Sequence, residues 1–230
     1  MSEQNRPEAD IRESLLYSLD MEGAFGVDRL PIGRRPRSSP PPAVNAWDDL
    51  KARVDRCTAC ALHTTRTLPV FGEGDPKADL MFVGEAPGRD EDLSGRPFVG
   101  RAGQLLTKMI GAMGLERPGV FIANVIKCRP PGNRTPAVDE ISRCLPFVEE
   151  QIAAIEPRVI VTLGSPATRT LLATERTITT LRGRVYPYPG NERISVVPTF
   201  HPAYLLRNEA EKPKSWHDLK LAIEILNAAN

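Results

Sequence analysis

Four short apolar runs alternate along the chain with segments of helical periodicity, and this alternation restricts the fold more than any other feature. The runs suit buried strands and lie at Leu80–Val83, Val120–Ile126, Val159–Leu163 and Ile194–Val197. Helical patterns occupy Trp47–Arg56, Ala102–Met113, Ala137–Ile155, Pro166–Ala173 and Ser215–Ala229. Strands that alternate with helices favour a parallel sheet covered on both faces. We therefore predict a three-layer α/β/α domain over residues 47–230, with a central, mostly parallel four-stranded sheet.

The first 46 residues differ in composition from the rest. Five prolines fall within 31–42 among arginines and serines, a composition typical of linkers. The segment Ile11–Leu19 has the spacing of a short amphipathic helix. This is either a docking element for a partner or a marginal helix in a disordered tail, and we favour the second. We therefore predict that residues 1–46 are a disordered extension.

Charge and composition exclude some classes of protein. Residues 1–49 hold six Arg and nine acidic residues, a net charge of −3, whereas residues 50–230 carry +4. A modestly basic domain is compatible with a polyanionic partner but does not require one. No apolar run approaches the roughly 18 residues of a membrane span. The polar, acidic start of the chain lacks the features of a secretory signal, so we expect a cytoplasmic protein with reduced cysteines.

The segment after the first apolar run carries the densest chemistry. Residues 84–92 read Gly-Glu-Ala-Pro-Gly-Arg-Asp-Glu-Asp, and residues 95–100 read Gly-Arg-Pro-Phe-Val-Gly. In open α/β sheets, ligands bind in a crevice at the carboxyl ends of the strands. Asn124 lies in the second predicted strand and His201 follows the fourth. An acidic loop alone is usually a solvated surface, but its combination with Asn124 and His201 predicts a ligand site at this edge of the sheet.

The four cysteines fall into two groups that a fold could bring together. Cys57 and Cys60 form a C-x-x-C pair, and Cys128 and Cys144 lie 16 positions apart. A C-x-x-C pair suits zinc or an iron–sulfur cluster. It precedes the first strand, which argues against a redox pair. Cys144 lies in a predicted helix and Cys128 just after a predicted strand, positions that are unusual for a zinc ribbon and favour a cluster. Spacing alone does not decide between zinc and iron. Buried inert cysteines are the remaining alternative.

Together these motifs resemble the family 4 uracil-DNA glycosylases, the iron–sulfur branch of the uracil-DNA glycosylase superfamily. The resemblance covers residues 50–230 and rests on the C-x-x-C pair, residues 84–100, Asn124 with Lys-Cys-Arg-Pro at 127–130, Cys144, and His-Pro-Ala-Tyr-Leu-Leu at 201–206. It implies a four-iron, four-sulfur cluster held by Cys57, Cys60, Cys128 and Cys144. It also implies uracil contacts from Gly84, Glu85, Ala86, Phe98, Asn124 and His201.

The resemblance gives each side chain an expected role in excising uracil. Phe98 would stack on the base. The amide of Asn124 would pair with O4 and N3–H of uracil and reject cytosine. His201 would donate a hydrogen bond to O2, where the charge of the leaving group collects. Carboxylates would stabilise the cationic sugar and place a water; of Glu85, Glu91 and Asp92, we assign Glu91 as catalytic, with Glu85 as an equal alternative.

The remaining predictions concern DNA. An apolar pair on an exposed turn, Leu205 and Leu206, would wedge into the base stack, and Arg207, Lys127 and Arg129 would neutralise phosphates. The predicted function is hydrolysis of the N-glycosidic bond of uracil in DNA, by a monomer bound to nucleoid DNA. The alternatives are a non-catalytic nucleic-acid-binding or polymerase-accessory module and a glycosylase of broader base specificity.

Overall fold

The computed structural model describes residues 46–228; the predicted helix at Ile11–Leu19 lies outside this range. The described strands are β1 (Glu73–Gly74), β2 (Leu80–Gly84), β3 (Phe121–Asn124), β4 (Val159–Leu163), β5 (Tyr186–Tyr188) and β6 (Asn191–Thr199). The described helices are α1 (Ala46–Asp55), α2 (Arg89–Ser94), α3 (Arg101–Ala112), α4 (Val138–Ile155), α5 (Ser165–Leu172), α6 (Ile178–Leu181), α7 (Pro202–Leu205) and α8 (Lys212–Asn227).

All six strands belong to one sheet in the order β1-β3-β2-β4-β6-β5. The four inner strands are parallel, and they are the four that the sequence predicts. The two outer strands, β1 and β5, pair antiparallel with their neighbours and make the sheet larger than the predicted four strands. They are two and three residues long, which is too short for a periodic pattern to reveal them.

Side chains of the sheet alternate between two apolar cores, and this alternation produces three layers. Along β2, Leu80 and Phe82 pack into one core, whereas Met81 and Val83 pack into the other, as expected when successive side chains of a strand point to opposite faces. The first core is completed by α3, α7 and α8, and the second by α1, α4 and α5. The predicted α/β/α arrangement is therefore confirmed.

The helices differ from the predictions mainly at their ends and in number. Helix α8 begins at Lys212 instead of Ser215, with a proline in its first turn, a position that proline suits. The short helices α2, α6 and α7 were not predicted, since four to six residues carry too little periodicity. Helix α7 starts directly after His201, and Pro202 is its first residue.

The order of the strands creates a crevice at the carboxyl end of β2. From β2 the chain crosses to β3 on one side, and then returns to β4 on the other side. Such a reversal of direction leaves a gap outside the carboxyl ends of the strands, where ligands of α/β proteins bind. Among residues 46–228, none of the helices has the length and apolar character needed to cross a bilayer.

Candidate active site

A cavity of about 480 Å³ lies at the carboxyl ends of the inner strands. It is lined by residues that follow β2, end β3 and follow β6: Glu85, Ala86, Pro87, Gly88, Glu91, Phe98, Ala102, Asn124, Pro130, Asn133, Arg134, His201, Ala203 and Arg207. All predicted uracil contacts except Gly84 are in this lining. Gly84 is the buried last residue of β2, directly before Glu85. The fold thus brings the predicted base contacts together.

The Phe98 ring packs against Gly84, and only glycine leaves room for it. A Cβ added at Gly84 would lie 2.5 Å from Cζ of Phe98 and 2.4 Å from Oδ1 of Asn124. Phe98 is buried and has a positive φ of 51°, a conformation uncommon for residues other than glycine. A Cβ at Gly103 of α3 would lie 1.7 Å from the Phe98 carbonyl oxygen. Two glycines therefore allow the ring to be held at the wall of the cavity.

The side chain of Asn124 lies at the buried end of the cavity with its amide available to a ligand. The residue is 1% exposed, and its Oδ1 has no hydrogen-bond partner within residues 46–228. Burying an amide oxygen without a partner costs about 1–3 kcal/mol, so the fold keeps an unfavourable arrangement at this position. A flat ligand that donates a hydrogen bond to Oδ1 would recover this energy.

His201 is held in one tautomer by the first turn of α7. The backbone N–H of Ala203 donates to Nδ1 of His201 at 3.1 Å, so the neutral ring carries its proton on Nε2. Burial, and to a smaller extent the positive charge of Arg207, lower the imidazole pKa to about 4, while the charge of Glu91 opposes the shift. The ring centroid lies 5.7 Å from that of Phe98. His201 therefore presents a neutral N–H donor to the cavity.

The two predicted catalytic carboxylates have different surroundings. Oε1 of Glu85 is buried without a hydrogen-bond partner among the described residues, and this burial raises the carboxyl pKa. In Glu91, Oε1 accepts hydrogen bonds from the N–H groups of Val99 and Gly100 at 2.8 and 3.0 Å, and Oε2 accepts one from Gly88 at 3.2 Å. Glu91 therefore clamps the loop together, whereas Oε1 of Glu85 has no partner within residues 46–228. Which of the two is catalytic stays a prediction.

Three other predicted site residues lie where they cannot act as expected. Asp92 is buried, accepts a hydrogen bond from the N–H of Thr67 and does not line the cavity. Leu205 is 1% exposed and packs into the core with Phe200, so the prediction that it wedges into DNA is wrong. Lys127 is 2% exposed, which leaves its ammonium out of reach of phosphates. In each case the fold buries a side chain that the sequence alone suggested to be exposed.

The other predicted DNA contacts lie in the cavity lining or next to it in the chain: Arg207 is in the lining, Leu206 precedes Arg207, and Arg129 precedes Pro130 of the lining. Leu206 is half-buried, Arg207 is exposed and Arg129 is half-buried, with its Nε donating to Oδ1 of Asn133. Sequence reasoning missed Arg134, whose guanidinium forms a two-pronged ion pair with the buried carboxylate of Glu140. Arg134 could have been identified from its position in the proline-rich loop after β3, at the same sheet edge as Asn124.

A second, small cavity is lined by all four cysteines, together with Ala59, His63, Arg66, Lys127, Arg143 and Phe147. Burial raises the pKa of the Cys128 thiol, and it raises that of Cys144 to about 11. Arg66 donates to Sγ of Cys128 at 3.1 Å, and the N–H of Lys127 donates to Sγ of Cys144 at 3.2 Å. Such donors stabilise thiolates, so this set of residues fits a group that binds deprotonated cysteines.

Within residues 46–228, no group of three or more Cys, His, Asp or Glu side chains is arranged to hold one metal ion. A cluster of four irons places a separate iron under each thiolate and is bound by four cysteines, so it does not need the thiols to meet at one point. The set of four cysteines is therefore compatible with a cluster of this kind.

Comparisons with known proteins agree with this geometry. The model of the Uracil DNA glycosylase superfamily matches residues 71–220. The type-4 uracil-DNA glycosylase of Sulfurisphaera tokodaii is 49% identical over 171 residues, 72% of this chain and 78% of the relative. That of Thermotoga maritima is 48% identical, covering 70% and 83%, and that of Archaeoglobus fulgidus is 46% identical, covering 71% and 84%. The chain belongs to the type-4 uracil-DNA glycosylase family.

Membership of the type-4 family accounts for most of the site. The segment that matches the superfamily model contains every residue that lines the large cavity, together with Cys128 and Cys144. Cys57 and Cys60 precede this segment. The small cavity therefore joins a part of the chain common to the superfamily with a part that lies before it.

Proposed function

We propose that this type-4 family member removes uracil from DNA by hydrolysing the N-glycosidic bond, which releases free uracil and leaves an abasic site. The observation that carries the proposal is the unpartnered Oδ1 of Asn124 beside the Phe98 ring. An amide that accepts from N3–H and donates to O4 matches the edge of uracil, whereas cytosine offers acceptor and donor in the reverse order. Leaving the buried amide unpaired with the wrong base costs about 1–3 kcal/mol.

The base reaches this site only after it leaves the stack. A nucleotide in a duplex hides its glycosidic bond, so the target must be flipped out at a cost of a few kcal/mol, least at a mismatch. The half-buried Leu206, which precedes the cavity-lining Arg207, would fill the gap. Arg207 and the newly located Arg134 line the cavity, and Arg129 bonds to Asn133 of the same lining. All three would contact phosphates, which adds affinity without sequence preference.

Bond cleavage then depends on fixed charges and dipoles. As the bond from C1′ of the sugar to N1 breaks, the electron pair stays with uracil, and Nε2–H of His201 donates to O2 where negative charge collects. A neutral imidazole is suited to this role, because its pKa of about 4 keeps it uncharged near neutral pH. Glu85 faces the sugar, stabilises its positive charge and orients the water that bonds to C1′; the water proton passes to Glu85 or to solvent.

We also propose that Cys57, Cys60, Cys128 and Cys144 hold a four-iron, four-sulfur cluster. The convergence of all four cysteines on one cavity supports this. When bound, the cluster cross-links the segment after α1, the exit of β3 and helix α4. Its role is structural: it fixes the proline-rich loop that carries Asn133 and Arg134 to the rim of the large cavity.

The remaining proposals concern the whole chain. Residues 47–230 form the glycosylase domain and residues 1–46 are an extension, and the protein acts on DNA as a monomer. A chain that starts at residue 46 is expected to keep the activity of the full chain. Sedimentation of the full chain tests the monomer.

The deciding experiment measures cleavage of oligonucleotides that contain one uracil, followed by alkaline strand scission, on protein whose visible spectrum is recorded first. We expect a brown protein and a break only at uracil. Matched oligonucleotides with cytosine, thymine or hypoxanthine at the same position test for a broader specificity. Binding to the uracil oligonucleotide without cleavage, by protein with a full complement of iron, would instead support the non-catalytic binding module.

A further inference from the structure

Among the described residues, Lys127 is the most deeply buried cation that also contacts a predicted site residue, Asn124. Its Nζ donates to the main-chain oxygen of Asn124 at 2.8 Å, to Oε1 of Gln151 at 2.6 Å and to the main-chain oxygen of Phe71 at 3.3 Å. A lysine ammonium has three N–H donors, and these three acceptors use them all. Three chain segments, the end of β3, helix α4 and the loop before β1, therefore meet at one charge.

The network around this charge is closed. Gln151 is fully buried, and its Nε2 donates to the same Phe71 oxygen at 2.8 Å. The main-chain oxygen of Lys127 accepts from the N–H of Val70 at 2.7 Å. Buried polar networks whose members are all satisfied are rigid, because any displacement leaves a group unpaired. The carbonyl group of Asn124 is therefore fixed in this arrangement.

Lys127 is also anchored to the cysteine cavity. Its backbone N–H donates to Sγ of Cys144 at 3.2 Å, and Cys128 is the next residue in the chain. Lys127 thus bonds through its side chain to the residue that would read uracil, and through its main chain to the proposed cluster ligands. No other residue within 46–228 makes both hydrogen bonds.

We propose that Lys127 is a positioning residue for base recognition: it fixes the main chain beneath Asn124, so that the buried amide meets the edge of uracil, and it ties this fixed point to the cysteine cavity. This inference rests on the proposed function. Because the side chain of Asn124 has no partner at Oδ1 within the described residues, its orientation depends on the main chain that carries it. Small displacements of positioned groups reduce rates by as much as about 100-fold.

The test replaces Lys127 by methionine, which keeps the apolar stem and removes the ammonium. We expect Lys127→Met to lower the single-turnover rate on uracil-containing DNA about 10- to 100-fold and to weaken inhibition by free uracil. Affinity for an oligonucleotide with an abasic-site analogue and iron content should stay as in the unmodified protein. Inhibition by free uracil is decisive, because it reports on the base pocket alone.

The matched control is Arg158→Met. Arg158 is a half-buried cation that, like Lys127, donates to main-chain oxygens, those of Ile225 and Leu226. It lies at the amino end of β4 and so at the opposite edge of the sheet. We expect this variant to lower the thermal midpoint and to keep the rate and the uracil affinity. The inference would be overturned if Lys127→Met also kept its single-turnover rate and its affinity for uracil. It would likewise be overturned if the rate fell only in proportion to the unfolded fraction of the protein.

A second variant keeps the test decisive if Lys127→Met does not fold. Gln151→Met removes one of the three acceptors and leaves the ammonium in place, so we expect a smaller loss of uracil affinity in the same direction. Unchanged uracil affinity in a folded Gln151→Met protein would contradict the inference. A failure of the proposed function is distinct from these results, since the unmodified protein itself would then cleave no uracil.

Discussion

At the scale of single residues, the site depends on atoms that the fold leaves unpaired or fixes in one state. Within residues 46–228, Asn124 keeps a buried amide oxygen without a partner, Glu85 a buried carboxylate oxygen, and His201 a ring whose Nδ1 is already occupied. The two unpaired oxygens are unfavourable for stability until a ligand binds, whereas the hydrogen bond to His201 is favourable and fixes its tautomer. This separation of function from stability makes the residue-scale predictions testable.

For His201, we expect His201→Ala to lower the single-turnover rate on uracil about 100- to 1,000-fold, because it removes a fixed donor to the leaving group. DNA binding should change little. His217→Ala is the matched control, since His217 is exposed on α8. Full single-turnover activity of His201→Ala would show that the ring has another role.

For Asn124, we expect Asn124→Asp to lower the ratio of uracil to cytosine cleavage. An ionised carboxylate offers only acceptors, so it repels O4 of uracil, and it can accept from the amino group of cytosine. The measurement compares single-turnover rates on two oligonucleotides that differ only in this base. An unchanged ratio would mean that main-chain groups, and not the Asn124 amide, select the base.

The pH dependence follows from Glu85. Burial raises the pKa of this carboxyl, and the ionised form is the one that stabilises the sugar cation, so the rate should fall as pH decreases through that raised pKa. His201 should not change the rate near neutral pH, because its pKa of about 4 keeps the ring uncharged there. We expect the acid limb in the pH profile of the unmodified protein and its absence in Glu85→Gln. A limb that persists in Glu85→Gln would belong to another group.

At the scale of elements, short helices and the loops between them place the site. Glu91, in the first turn of α2, bonds to the N–H of Gly88 before that helix and to the N–H groups of Val99 and Gly100, at the start of α3. One carboxylate therefore joins the starts of two helices across the segment that carries Phe98. Helix α7 likewise sets the tautomer of His201 and buries Leu205.

This clamp predicts opposite effects for two neighbouring glutamates. Glu91→Ala removes three acceptor contacts and should lower the free energy of unfolding by about 1–3 kcal/mol. Glu85→Ala removes a buried carboxylate oxygen that has no partner within residues 46–228, so stability should stay equal or rise while activity is lost. Urea unfolding and single-turnover rates of both variants make the comparison. Equal losses of stability would contradict the division of roles.

At the scale of the whole molecule, the cysteine cavity connects parts of the chain that are far apart in sequence. Cys57 and Cys60 follow α1, Cys128 follows β3 and Cys144 lies in α4. A cluster at this point would hold the amino-terminal helix of the described chain to the sheet and to the rim of the active site.

We therefore expect Cys128→Ser to lose iron, the brown colour and thermal stability together. His63→Gln is the matched control: His63 lines the same cavity, but its Nδ1 contacts the main-chain oxygen of Cys60 at 2.7 Å. It should keep its iron if the four cysteines are the ligands. A metal-free Cys128→Ser protein that folded normally and kept full activity would exclude the cluster.

Local sequence patterns were sufficient to predict the layered α/β fold and the edge of the sheet that carries the site. Buried strands and amphipathic helices leave local periodic patterns, and parallel strands align their carboxyl ends, so Asn124, His201 and the acidic loop had to lie near one another. The two outer strands escaped prediction because they are too short to leave such a pattern.

Which of these groups are free to act became clear only from the folded chain. Glu85 and Glu91 are both glutamates of one loop, but Glu91 accepts from the N–H groups of Val99 and Gly100, whereas Oε1 of Glu85 has no partner within residues 46–228. By its charge Lys127 is expected on the surface, but in the core its ammonium donates a hydrogen bond to Gln151, 24 residues away. Burial and hydrogen bonding depend on neighbours brought in from distant parts of the chain, and no local pattern specifies those neighbours.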